Sequence, residues 1–148
     1  MLAKMLAPAA VLVLWSIIML LWTAATRFPA LSKLGTNLKT APPGGRGQNL
    51  DGVLPDQVQW KSHNYAHLME QPTIFYPTVV IIALMGPNPG TIAFAWAYVA
   101  LRIIHSLWQA TVNTLPVRFT LFLLSTLCLL MLAIYAFELT ALAKGVAA

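Results

Sequence analysis

The chain has 148 residues, 59% of them hydrophobic and 9% charged, where soluble domains run at about 45–50% and about 25%. With a mean hydropathy of +0.73, it holds too few polar groups to cover a water-facing surface, which excludes a soluble enzyme and a disordered tail. Nine Lys and Arg against four Asp and Glu leave a net charge of +5, but the cations are scattered and never form a run, so they read as topology signals and not as a nucleic-acid surface.

Four membrane spans are predicted in a single domain covering residues 1–148. The first, about 5–27, contains the uncharged stretch Met5 to Thr26, which at about 1.5 Å per residue reaches across the hydrocarbon. It is longer than a signal-peptide core and carries Trp15 and Trp22, so it reads as a retained helix. A long first loop, about 28–58, holds Pro42, Pro43, Pro55 and five glycines and is expected to be irregular. Lys33, Lys39 and Arg46, with Arg27 and Lys61 at its flanks, outweigh Asp51 and Asp56, which assigns this loop to the cytoplasm and both termini to the opposite side.

The second span, about 59–86, is expected to be one helix, because the apolar run Thr73 to Met85 is too short to cross alone. That draws His63, Asn64, His67 and Glu70 toward the membrane. Gly86-Pro87-Asn88-Pro89-Gly90 makes a tight neutral turn into the third span, about 91–113. The fourth, about 116–142, opens with Pro116 at a favourable first-turn position and leaves Glu138 and Lys144 at the far interface. The one cysteine, Cys128, lies in an apolar run and permits no intrachain disulfide.

Ionisable groups at membrane depth are costly and normally face a bundle interior. On a helical wheel, Trp60, His63, His67 and Glu70 fall on one stripe of the second span. Arg102, His105, Ser106, Gln109 and Asn113 fall on one stripe of the third. Two such stripes on consecutive antiparallel helices imply a shared polar cavity. A single Glu70–Arg102 pair fixing helix register is the plainer reading, but register needs one pair and here eight or nine polar groups converge. Pro72 and Pro77 would bend the second span and widen the cavity. His63, His67 and Glu70 at i, i+4, i+7, with His105, could also face one metal ion, although Arg102 would repel a cation; the favoured reading assigns no metal.

At these residues the sequence resembles the MAPEG family, the membrane-associated proteins in eicosanoid and glutathione metabolism. The likeness runs from Gln57 to Leu142 and is carried by Glu70 in His67-Leu68-Met69-Glu70-Gln71-Pro72, by Gly86-Pro87-Asn88-Pro89, by Arg102-Ile103-Ile104-His105-Ser106 and by Pro116-Val117-Arg118. The turn and the spacing from Arg102 to Arg118 look like microsomal prostaglandin E synthase; Asn64 to Tyr76 looks like a bacterial branch. The resemblance implies an all-α, four-helix homotrimer in a bacterial inner membrane, binding glutathione in a cytoplasm-facing cleft between neighbours. It also implies a transferase or peroxidase joining the thiolate to a lipophilic electrophile drawn from the membrane lipids.

Carried over from the resemblance, Arg118 stands by the sulfur as the catalytic residue. Glu70 receives the ammonium, and Arg102 and His105 line the site. Beyond what the resemblance carries over, His63 and His67 of the second-span stripe, Gln109 at the place of a lining tyrosine, and Arg27, which would restore a positive contact, are added to the cosubstrate site. Where such members show Arg-x-x-Arg-Asn-x-x-Glu, this chain has His63-x-x-Ala66-His67-x-x-Glu70. That departure keeps two other functions open: a non-enzymatic binder of lipids or of a partner membrane protein, and a small proton-coupled exporter built on Glu70 and its histidines.

Overall fold

A computed structural model describes residues 1–35 and 43–141. Lys39 and Pro42 of the first loop, and Leu142 and Lys144 at the end of the fourth span, lie outside the described residues. Among those described, every regular element is helical: α1 (Leu2–Lys33), α2 (Asp56–Leu68), α3 (Pro72–Met85), α4 (Pro89–Thr111) and α5 (Leu115–Ala141), with a single 3₁₀ turn at Gly47–Leu50. Four segments are long and apolar enough to cross a membrane: α1, α2 with α3 as one unit, α4 and α5. The protein is a multi-pass membrane protein with a four-span bundle.

Spacing dictates which faces turn inward. On α1 the buried residues are Met5, Pro8, Leu12, Ser16, Met19 and Thr23, steps of three and four that make one seam along the helix. On α5, Ser125, Leu129, Leu132 and Ala136 do the same. The helix α4 lies at the centre, packed on α1, α2 and α5, and buries the most polar set: Arg102, His105, Ser106 and Gln109 beside Ala95, Tyr98 and Val99. Phe75 of α3 stacks on Tyr98 at 4.3 Å between ring centroids, joining the second and third spans below the polar layer.

The sequence predicts one helix for the second span, and the structure divides it. Pro72 has no N–H to offer the Leu68 carbonyl, and its ring crowds that carbonyl. The backbone responds by tightening to i→i−3 bonds, Met69 N–H to Ala66 O (2.9 Å) before the break and Thr73 N–H to Glu70 O (3.1 Å) after it. The residues Met69, Glu70 and Gln71 form the turn between α2 and α3. Pro77, by contrast, is carried inside α3.

Elsewhere the helix ends follow local chemistry. Asn88 caps α4 by accepting from Thr91 N–H at 2.9 Å while the Thr91 hydroxyl accepts from Asn88 N–H, a reciprocal box followed by Pro89 at the first helical position. The far end of α4 closes at Asn113, which takes the left-handed conformation (φ 59°) and donates its N–H to Trp108 O at 2.8 Å. Asparagine tolerates that conformation better than residues with a larger or branched side chain.

Candidate functional site

The site is built around Arg102, which α4 holds with none of its surface exposed. Its Nε donates to the Tyr98 hydroxyl at 3.2 Å, one terminal nitrogen donates to the side-chain oxygen of Gln71, and the other donates to His67 Nε2 at 3.3 Å. The Phe122 ring of α5 covers it, 5.2 Å from guanidinium carbon to ring centroid. Arginine carries a fixed positive charge, and a buried charge needs a compensating partner. Among the described residues, no carboxylate stands within ion-pair distance of Arg102.

Gln71 joins three spans at this point. Its oxygen accepts from Arg102 and, at 3.4 Å, from the Tyr98 hydroxyl, while its amide nitrogen donates to Thr126 Oγ1 at 2.8 Å. The break at Pro72 is what makes this possible. In an unbroken helix Glu70 would continue the His63–His67 stripe; in the turn, Gln71 faces inward and Glu70 stands on the outside, its side chain 67% exposed. Direct pairing of Glu70 with Arg102 is therefore not formed. His67 stands between them, with Nδ1 2.7 Å from Glu70 Oε2 and Nε2 on Arg102.

That placement fixes the His67 tautomer. Arginine offers only donors, so Nε2 accepts and is unprotonated, and the ring proton sits on Nδ1 and is donated to the Glu70 carboxylate. His105 lies beside it, ring centroids 5.1 Å apart, with Phe122 at 5.6 Å on the histidine. These rings, with Leu115, Arg118 and Phe119, line an open cavity of about 170 Å³ at the α4–α5 end of the bundle. Arg118 is oriented by Asn113, whose side-chain oxygen accepts from it at 2.8 Å, while its buried Nε has no partner among the described residues.

The structure thus gathers His67, His105 and Arg118 at the cavity, sets Arg102 immediately behind them, and leaves Glu70 at the outer edge. His63 is directed away: it is half-exposed and bonds Asp51 at 3.0 Å, so it does not join His67 and Glu70 around one ion. Among the described residues, no three His, Cys, Asp or Glu side chains cluster as metal ligands. Gln109 is buried inside the bundle, away from the cavity lining. Arg27 is spent on the first loop, donating to Gly47 O at 2.9 Å. A second buried network accompanies the site, in which Ser106 Oγ accepts from Trp15 Nε1 at 3.0 Å and from Asn64 at 2.7 Å.

Sequence reasoning missed Gln71 and Tyr98. Tyr98 lies one turn before Arg102, 40° from it on the same wheel, and could have been found; Gln71 becomes visible only once Pro72 is read as a break and not a bend.

The described residues form a four-span helical membrane bundle with Arg118 on the wall of an open cavity and Arg102 buried behind it. Residues 5–137 match the model of the MAPEG family, and this chain belongs to that family. No curated protein and no solved structure matches it.

Proposed function

We propose that the protein is a glutathione-dependent transferase that joins the thiol to lipophilic electrophiles reaching the cavity from the bilayer. One observation carries the reading: Arg102, fully buried and held by neutral side chains, stands directly behind a cavity whose wall includes a second guanidinium, Arg118. Two fixed cations around one concave space favour an anion, and a guanidinium beside sulfur favours the reactive thiolate over the thiol. Glutathione supplies both the carboxylates and the sulfur. The apolar side chains Leu115, Phe119 and Phe122 offer the electrophile a hydrocarbon surface.

Size supports a site shared between copies. A cavity of about 170 Å³ holds the thiol end of a tripeptide and not its whole length, so the remainder lies along the open side. There Glu70 is exposed at span depth, where a bare carboxylate facing lipid is untenable. A neighbouring copy covering that face, in a homotrimer, closes the site and leaves the second Glu70 oxygen for the ammonium group. The first loop then faces the cytoplasm, the source of the thiol, as its excess of cations suggests.

The purified protein in detergent should conjugate glutathione to an activated aryl chloride, and Arg118→Ala should reduce kcat by about 100-fold or more. Wild-type rates no higher than the uncatalysed reaction remove the enzymatic reading. A lipid or partner molecule co-purifying in the cavity would then favour the non-enzymatic binder, for which the apolar half of the lining is the supporting feature.

A further inference from the structure

We infer that His67 is a general base, oriented by Glu70, that takes the proton from the thiol of the bound cosubstrate. The inference rests on the transferase reading above and adds a proton acceptor to it. A guanidinium stabilises a thiolate but accepts no proton, so a site containing only Arg102 and Arg118 leaves the thiol proton without a destination. His67 and Arg118 line the same cavity of about 170 Å³, so a sulfur held by Arg118 enters the space that His67 borders.

The groups around His67 suit the role. Nδ1 gives its proton to Glu70 Oε2 at 2.7 Å, which fixes the tautomer and supplies a negative charge to the imidazolium once it forms. Nε2 carries the ring's lone pair, which accepts from the Arg102 guanidinium. At 3.3 Å this is a long contact, from a guanidinium that has two further anchors in Gln71 and Tyr98. Phe122 and His105 both pack against the ring, with centroids 5.6 and 5.1 Å away. The charged or titratable groups facing His67 are thus Glu70 from its own segment, Arg102 and His105 from α4, and Arg118 from α5. The incoming thiol replaces the Arg102 contact at Nε2, and the guanidinium is left to the anion that arrives with it.

For an epoxide, the step balances as follows. The S–H bond breaks and its proton moves to Nε2, giving thiolate and imidazolium. The thiolate forms a C–S bond as the epoxide C–O bond breaks, and the resulting alkoxide takes the proton back from Nε2. No oxidant or further reactant enters.

The test measures bound thiolate by its ultraviolet absorbance, together with affinity for S-hexylglutathione, which has no thiol proton. In His67→Gln, the thiolate signal at neutral pH, compared at equal occupancy set from the S-hexylglutathione affinity of each protein, should fall about tenfold or more, and the acidic limb of the wild-type pH–rate profile should disappear. His67→Ala should regain activity with added imidazole and none with added pyrrole, a rescue that packing alone does not give. Unchanged thiolate and an unchanged pH profile in His67→Gln, with binding intact, overturn the inference and leave the transferase reading standing. Absence of S-hexylglutathione binding to the wild type overturns both.

Discussion

Arg102 is tied to Gln71, a neutral amide from the turn that Pro72 imposes, and not to the carboxylate one residue earlier. That exchange decides the character of the site. A Glu70–Arg102 pair would seal itself and close the crevice; the amide satisfies the guanidinium's geometry while leaving its charge uncompensated among the described residues.

Removing Gln71 should therefore cost stability as well as function. Gln71→Leu leaves Arg102, the Tyr98 hydroxyl and Thr126 short of a partner, and unmade bonds to buried polar groups cost about 1–3 kcal/mol. Unfolding titrations in mixed detergent should show a loss of about 2–3 kcal/mol for Gln71→Leu, and less than half of that for Thr126→Val, which removes the outer bond to Gln71 and the hydroxyl's bond to its own helix at Phe122 O but leaves Arg102 its partner. Equal losses in the two variants would mean that Arg102 finds another partner.

Pro72→Ala tests the break itself. With an N–H restored, the Leu68 carbonyl regains a donor and α2 runs into α3, turning Gln71 away from Arg102. Glutathione affinity should fall about tenfold with the bundle intact. A distance measured between spin labels on either side of residues 69–71 should lengthen as the turn straightens; an unchanged distance would place the cause of the break elsewhere.

Asn113 has two jobs that substitutions can separate. Its left-handed backbone ends α4, and its side chain aims Arg118. Asn113→Gly keeps the first and loses the second, so thermal stability should hold while thiolate formation drops several-fold. Asn113→Ala disturbs both, with an added stability loss of about 1 kcal/mol. Undiminished thiolate formation in Asn113→Gly would mean that the side-chain contact is not what orients Arg118.

The second network is structural. Ser106→Ala strands Trp15 Nε1 and the Asn64 amide, and interhelical bonds of this kind in membrane proteins are worth about 0.6 kcal/mol, up to about 1.7. A loss near 1 kcal/mol is expected in detergent unfolding, with glutathione affinity unchanged. Weakened binding would make this network part of the site.

How far the sequence could be read depends on the unbroken phase of each helix. On α4, capped at Asn88 and continuous to Thr111, the wheel placed Arg102, His105, Ser106 and Gln109 on one face, and all four are buried. On the second span the same arithmetic joined His63, His67 and Glu70 through a helix that stops at Leu68. The wheel kept counting at 100° per residue through a turn that does not, so Glu70 was drawn inward and Gln71 overlooked. Four spans follow from composition; the side chain that meets Arg102 follows from one missing N–H.

Calorimetric titration of the detergent-purified protein with glutathione tests the central claim, that an uncompensated guanidinium pair awaits an anionic thiol. The proposal predicts saturable heat that weakens about tenfold or more in Arg102→Leu and falls with added salt, as binding driven by charge should. No heat with the wild type, or equal binding in Arg102→Leu, would contradict it.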